Sequence, residues 1–287
     1  MTYREAELTL FRQLQAFYSE RESKQLSSWA MENITDKNRV DRLLLKDEEL
    51  DDKMLHHWHS VLNRMQQHEP IQYVLGEAPF MDMMLHVNQY TLIPRPETEE
   101  LVSWILDDHN EKKLDVLDVG TGSGCIALAL KKKQPTWNIT AADLSTEALA
   151  IAAKNSNQLN LSVEWKLLDM LQSNHPGWGD KYQVIVSNPP YIPVKDKVFL
   201  SKHVSKYEPS SALFVPDDEP LLFYKALLAN SPAHLTNGGH LYMEINDQLG
   251  AATVNLFLVA GWEVELRKDL QGNDRMIKAT PPKLTGE

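Results

Sequence analysis

"LDVLDVGTGSGCIALAL", residues 114–130, sets a glycine-rich turn between two apolar runs. Leu114 to Val119 reads as a strand, and the stretch from Gly124 onward reads as the start of a helix. Glycines at 120, 122 and 124 permit positive φ and let a ligand lie against bare backbone. The first amides of the helix then point at that ligand. Several chemistries use such a loop. A phosphate-cradling P-loop requires GxxxxGK[ST], which is missing here. The dinucleotide fingerprint GxGxxG requires a third small residue at 125, where this chain has Cys125.

Outward from the loop, strand and helix signals alternate. Strands are predicted at 114–119, 138–142, 162–167, 182–187 and 239–245, with strand-like pieces at 262–268 and 274–279. Helices are predicted at 98–106, 124–133, 145–158, 218–230 and 247–259. This order predicts an α/β fold, a parallel sheet with helices on both faces. Within it, GxGxG with Asp118 two residues before Gly120 resembles the first motif of the class I S-adenosylmethionine-dependent methyltransferases. Asp143 ends the second strand, 19 residues after Gly124, where an acid can hydrogen-bond both ribose hydroxyls of an adenosine. The plainer reading of Asp143 is an N-cap for the next helix. Asp169 follows the third strand, either near an adenine or in a surface turn. Cys125 reads as a small packing residue at the helix start, not as a nucleophile.

Ahead of this region, the first 70 residues are almost free of glycine and proline and read as a helical bundle. Leu8, Phe11, Leu14, Phe17 and Tyr18 are expected on one face, and Ser19 with Glu22 as a capping box. The next helix would carry Leu26, Trp29 and Ala30, and Leu43 to Leu45 suit a short helix. Leu50, Met54, Leu55, Trp58, Val61, Leu62 and Met65 form a further stripe. His56 and His59 sit three apart, but no partner motif accompanies them, so no metal site is expected. Residues 71–93 change to short β-like pieces. The expected organisation is a helical docking domain over 1–73, a β-hairpin linker over 74–93 and a catalytic domain over 94–287, with "TPPKLTGE" (280–287) frayed.

The totals narrow the function. With 287 residues and 43% hydrophobic content, the chain can bury a sizeable core. The net charge of −11, from 29 basic and 40 acidic residues, opposes nonspecific nucleic-acid binding. A single cysteine fits a reducing cytoplasm. No apolar run suits a membrane helix, and the start lacks the pattern of a signal peptide.

"VSNPPYI", 186–192, ends a buried strand on an amide, two prolines and an aromatic ring. Asn188 would lie over the cleft at the carboxyl end of the sheet. Its amide offers an acceptor and two donors, enough to read another amide or the amino edge of adenine. Pro189 and Pro190 carry no N–H and hold the loop still, and Tyr191 can stack on a flat substrate group. A pocket that accepts N–H bonds and aligns the nitrogen favours in-line methyl transfer to a planar NH₂.

Taken together, the motifs resemble the PrmC/HemK family, the glutamine N5-methyltransferases of peptide chain release factors. Those carrying the resemblance are "YVLGEAPF", "LIPRPETEELV", "DVLDVGTGSGCIALAL", "VSNPPYIP", "YEPSSALF", "LYMEIN" and "DLQGNDRMI". "IPRPETE" beside "NPPYI" is the specific combination, since adenine methyltransferases of DNA do not normally carry both. The resemblance implies a class I (Rossmann-like) domain, S-adenosylmethionine as methyl donor and the Gly-Gly-Gln loop of class 1 release factors as partner. It implies donor binding by Gly120, Thr121, Gly122, Ser123, Gly124, Asp143, Asp169, Met170 and Asn188, with Arg95, Pro96, Glu97 and Thr98 walling the cleft. It implies glutamine binding and catalysis by Asn188, Pro189, Pro190 and Tyr191. Glu97 either touches ligand or caps its helix, and Glu208 is expected to brace the site loop. Met170 stands where an aromatic residue is common, and Asn246 where glycine is usual. The rival readings are a ribosomal-protein glutamine methyltransferase, an adenine amino-methyltransferase and a noncatalytic module that keeps the fold.

Overall fold

A computed structural model describes residues 1–110 and 113–282; the stretch expected to fray lies, from residue 283, outside the described residues. The chain divides into two compact units, Met1–Glu77 with Ser201–Tyr207, and Ala78–Leu200 with Glu208–Glu287.

In the first unit α1 (Tyr3–Leu14) and α2 (Glu20–Thr35) are followed by α3 (Arg39–Leu44), α4 (Asp52–Gln66) and α5 (Ile71–Leu75). Two helix starts are capping boxes: Thr2 with Glu5 on α1 and, as read from the sequence, Ser19 with Glu22 on α2. The buried face of α1 is Tyr3, Ala6, Leu10 and Leu14, whereas Leu8 and Phe17 are exposed. The expected face holds at Leu14 and at partly buried Tyr18, and fails at Leu8 and Phe17 for two reasons. The helix ends at Leu14, so helical spacing does not reach Phe17. The indole of Trp58 on α4 also packs over small Ala6 and donates to its carbonyl (3.2 Å). Leu50, Trp58, Val61 and Met65 are buried as the stripe predicts, while Leu43 and Leu44 of α3 are exposed. Among the described residues no group of histidines, cysteines and acids is arranged to hold a metal.

Next come β1 (Glu77–Phe80) and β2 (Met83–His86), the hairpin read as a linker. Ala78, Phe80, Met83 and Leu85 are buried, and the last three share one core with Leu101, Trp104, Leu128 and Val186. The hairpin is therefore part of the packed body of the second unit. The alternation that marks it as β-structure also gives it one apolar face, and that face needs a partner.

The second unit continues with α6 (Pro96–Asp108), β3 (Asp115–Val119), α7 (Cys125–Lys133), β4 (Asn138–Asp143), α8 (Thr146–Leu159), β5 (Glu164–Leu167) and β6 (Tyr182–Ser187). Short pieces follow: β7 (Ile192–Pro193), α9 (Lys202–Tyr207, in the first unit), α10 (Ser210–Leu213) and β8 (Phe214–Val215). The chain ends through α11 (Leu222–His234), β9 (Leu235–Glu244), α12 (Gly250–Val259), β10 (Glu263–Lys268) and β11 (Asp274–Thr280). The pieces between 192 and 215 carry no periodic signal long enough to be read from sequence, and α11 begins only after Pro220.

Seven strands form one sheet in the order β10-β11-β9-β6-β3-β4-β5. The β9-β6-β3-β4-β5 pairings are parallel, and β11 runs antiparallel between β9 and β10. Each central strand is buried on both faces, which explains its nearly continuous apolar run. Val184 and Val186 enter the core under α6 and α7, and Ile185 enters the core under α11 and α12. Strand order reverses at β3 and β6, the switch point where doubly wound sheets bind ligands. Val119 pairs with Ala142 on one side and Ser187 on the other, so Gly120, Asp143 and Asn188 emerge level at one rim.

Because Phe80 is fully buried in the main core, Phe80→Ala should destabilise the second unit by about 3–5 kcal/mol. Chemical denaturation checks this; a hairpin that merely linked two bodies would lose less than about 1 kcal/mol.

Candidate active site

The glycine loop hangs from the ends of its two neighbouring strands. Gly120 and Thr121 both donate their amides to the Ala142 carbonyl (2.8 and 3.0 Å). The Asp143 carboxylate accepts from the Gly122 amide (2.8 Å) and the Ser145 amide (2.9 Å). Ser145, not Asp143, caps α8 with its side chain. A carboxylate has about four lone-pair directions, so Asp143 keeps acceptor capacity toward the cavity it lines. Burial raises its pKa above the usual carboxylate range.

Beneath the loop, Asp118 is completely buried. One oxygen accepts from the Thr121 hydroxyl (2.6 Å) and the Ala127 amide (3.2 Å), tying loop to helix. Its other oxygen has no hydrogen-bond partner. Desolvation, reinforced weakly by the nearby Asp143 charge, pushes the Asp118 pKa up to about 7. Burial and the Asp118 charge push the Cys125 thiol up to about 12, so it stays protonated and acts as packing.

The glycines differ in purpose. Gly120, Gly122 and Gly124 all take positive φ (77°, 58° and 82°). A side chain at Gly122 would meet open space, as befits a wall left bare for a ligand. At Gly124 a Cβ would press on Trp165, Ala152 and Leu128 at 3.1–3.2 Å. Gly124 therefore serves close packing behind the loop and does not line the cavity.

The cavity at this rim has a volume of about 320 Å³, within the range of small-molecule sites. Its floor is Gly120, Thr121, Gly122 and Ser123, and its walls include Arg95, Thr98, Asp143, Asp169, Met170, Asn188 and Pro190. Asp169 sits in a turn, accepting from the Leu171 amide (3.0 Å) and the Gln172 side chain (2.9 Å), at the edge of the cavity. The Met170 methyl approaches Gly120, 3.5 Å from where a Cβ would sit there. Tyr90, Leu92, Leu144, Leu171, Phe214 and Phe223 supply apolar wall. Sequence reading missed these six because the tertiary fold gathers them from five separate segments. Only Leu92, in "LIPRPETEELV", and Phe214, in "YEPSSALF", fell within a motif read from the sequence. A second, polar groove of about 540 Å³ lies at the opposite rim, at the first residues of β3, β4, β5 and β6. Its polar groups answer one another, as in Lys166 with Glu164 (3.4 Å) and the Asn138 amide donating to Asp115 (2.6 Å).

Besides Gly124, three expected ligand contacts do not reach the cavity: Pro96, Pro189 and Tyr191. Pro96 is exposed at the first position of α6, where a missing N–H costs nothing. Pro189 is buried under the loop. Tyr191 turns inward: its hydroxyl donates to Glu244 (3.0 Å) and its ring packs on the core beside α11 and α12. A ring needing both apolar cover and a hydroxyl partner finds both inside, so it does not stack on a flat ligand.

Two buried acids brace the rim. Glu208, with no accessible side-chain surface, accepts from Arg95 (2.5 Å) and the Ile93 amide (3.2 Å), clamping the segment before α6. Glu244, at the end of β9, accepts from Thr98 (2.7 Å) and Tyr191. Burial raises its pKa against those hydrogen bonds and the attraction of Arg275. Asn246 takes ordinary backbone angles (φ −68°), so the geometry survives without glycine there. Its side-chain NH₂ donates to the Tyr191 carbonyl (3.0 Å). Glu97 faces Gln271 at 3.5 Å and does not line the cavity. Buried Asn155 joins the Ser123 carbonyl (2.9 Å) to His86 of the hairpin, a tie with no signal in the sequence.

The cavity's bare-backbone floor, its acid after the second strand and its apolar walls fit an adenosine-bearing sulfonium donor. Sheet order and site together define a class I S-adenosylmethionine-dependent methyltransferase. A methyltransferase from Pyrococcus furiosus shares the fold: TM-score 0.51, 18% identity, 69% of this chain and 89% of that one covered. The family description "Methyltransferase small domain" matches residues 98–203, and "PrmC N-terminal domain" matches residues 9–76. The release factor glutamine methyltransferase of Flavobacterium psychrophilum is 41% identical over 92% of this chain and 94% of its own length. That of Lactococcus lactis is 38% identical over 85% and 90%. The chain belongs to the release factor glutamine methyltransferase family.

The raised pKa of Asp118 has a consequence for stability. Below about pH 4 the group is protonated both folded and unfolded, and its contribution is fully favourable. Between its unfolded value of 3.8 and its folded value of about 7, the folded state loses stability as pH rises. The total is of the order of 4 kcal/mol. Asp118→Asn introduces an offset independent of pH. Denaturation at several pH values should therefore show the variant gaining on the wild type from pH 4 to 7 and running parallel above it.

Proposed function

We propose that the protein transfers the methyl group of S-adenosylmethionine to the side-chain amide nitrogen of the glutamine in the Gly-Gly-Gln motif of class 1 peptide chain release factors. The observation carrying this reading is Asn188, at the cavity rim level with the glycine loop and Asp143, in a chain so similar to release factor glutamine methyltransferases. The match of residues 9–76 to a PrmC N-terminal domain supports the release factor as substrate over a ribosomal protein. That helical segment would dock the protein partner, in the cytoplasm.

S-adenosylmethionine supplies an electrophilic methyl group on a sulfonium. Gly120, Thr121, Gly122 and Ser123 present bare backbone to the donor, and Asp143 accepts from its ribose hydroxyls. Asp169 and Met170 border its adenine, the thioether taking the place of an aromatic ring. Arg95, fixed by Glu208, closes the wall. Gly124 and Pro96 act behind the surface, one by packing and one by starting α6.

An amide nitrogen is a poor nucleophile because its lone pair is delocalised. Asn188 meets this difficulty by accepting an N–H of the glutamine, which orients the nitrogen and stabilises the positive charge it develops. Pro189 and Pro190 keep the loop from moving, lowering the ordering cost of that contact. Tyr191 holds the loop from behind through Glu244. The N–CH₃ bond forms as the S–CH₃ bond breaks, S-adenosylhomocysteine departs as the neutral thioether, and the nitrogen gives its surplus proton to water after the new bond is largely made.

Incubation with purified release factor and labelled donor, followed by mass mapping, should place one methyl group on the Gly-Gly-Gln glutamine. A methyl group elsewhere, or none, overturns the reading. Asn188→Ala should lower kcat/KM by about 10²–10³-fold in assays at saturating donor. Asp143→Ala should raise the donor Kd at least about tenfold, measured by titration calorimetry with S-adenosylhomocysteine.

A further inference from the structure

We infer that Thr98 and Glu244 are positioning residues that hold the Asn188 amide with its oxygen toward the cavity, and that this polarity makes the site select glutamine over glutamate. The inference rests on the functional reading above and extends it to residues outside the NPPY motif.

The argument is a count of hydrogens. Glu244 ends β9 at 1% exposure, and its two oxygens accept from different hydroxyls, Thr98 at 2.7 Å and Tyr191 at 3.0 Å. Thr98, 2% exposed in the first turn of α6, has a single hydroxyl hydrogen, and the carboxylate takes it. Only lone pairs remain on the Thr98 oxygen. The Asn188 group 3.1 Å away must therefore be the NH₂, a donor. Turning the amide over would set two oxygens against each other with no hydrogen between them.

Thr98 takes one of the two Nδ2 hydrogens, which fixes the orientation of the amide and leaves Oδ1, on the side away from Thr98, to accept from a ligand in the cavity that Asn188 lines. An amide free to rotate would read N–H and oxygen alike, whereas this one is held as an acceptor. A glutamine NH₂ satisfies it. A glutamate carboxylate, or the carbonyl end of the same glutamine, meets a lone pair instead. Sites that leave a buried polar group unpaired reject the wrong ligand strongly. Asn246 adds rigidity by holding the Tyr191 carbonyl, and Glu244 faces the attraction of Arg275, which in turn pairs with Asp269 (3.0 Å).

The test compares full-length wild type with Thr98→Val and Thr98→Ser. Each is titrated against purified release factor and against the same protein with its target glutamine replaced by glutamate. S-adenosylhomocysteine binding monitors the donor site. Wild type should prefer the glutamine form at least about tenfold. Thr98→Val, which keeps shape but loses the hydroxyl, should bring the preference below about threefold and lower kcat by about 10–100-fold, with donor Kd within about twofold. Thr98→Ser should restore both. Should the valine variant fail to bind S-adenosylhomocysteine, Glu244→Met carries the test. With no oxygen there to take its hydrogen, the Thr98 hydroxyl is free to donate to Asn188 and no longer selects the NH₂, so the preference should fall there too. Undiminished preference in Thr98→Val, or in Glu244→Met where it stands in, overturns the inference alone, as does failure of serine to restore it. A wild type that does not methylate the glutamine form overturns the functional reading and the inference together.

Discussion

Two carboxylates on adjacent parallel strands support everything at this rim. Asp118 ties the glycine loop down to α7, and Asp143 ties it sideways to β4. Three alternate glycines at positive φ would otherwise be loose, since glycine loses the most conformational freedom on ordering. The two carboxylates anchor opposite sides of that loop. The cost appears in Asp118, whose buried oxygen without a partner raises its pKa into the neutral range.

The other half of the rim repeats the device with different residues. Glu208 holds the segment ahead of α6, and Glu244 holds the start of α6 together with the loop after β6. Both acids are almost wholly removed from solvent, and removing the partners of such groups is far more damaging than adding them is stabilising. Their value lies in orientation. A cleft that must align a weak nucleophile gains more from fixed hydrogen-bonding directions than from added affinity.

Much of this was legible along the chain. Period-two and period-3.6 patterns located the sheet strands and the long helices, and glycine spacing located the loop. Asp143 and Asn188 stood out because each ends a buried apolar run on a polar side chain. Legibility failed where a residue's neighbours are distant in sequence. Tyr191 looked like a ring for stacking on substrate, but Glu244, 53 positions away, gives it an inward partner. The hairpin looked like a linker because nothing in it names the helices that cover Phe80. The face of α1 was misread because its end at Leu14 and the indole of Trp58 decide which side is buried.

The sequence by itself determined the doubly wound architecture, the glycine loop and the acids and amide that follow the strands, because backbone propensity and apolar periodicity act locally. Only the tertiary structure decided which of those side chains face the cavity and which way the Asn188 amide points. Direction depends on donors and acceptors brought from Thr98, Glu244 and Asn246, and hydrogen-bond polarity is settled by whichever groups the fold sets within about 3 Å of one another.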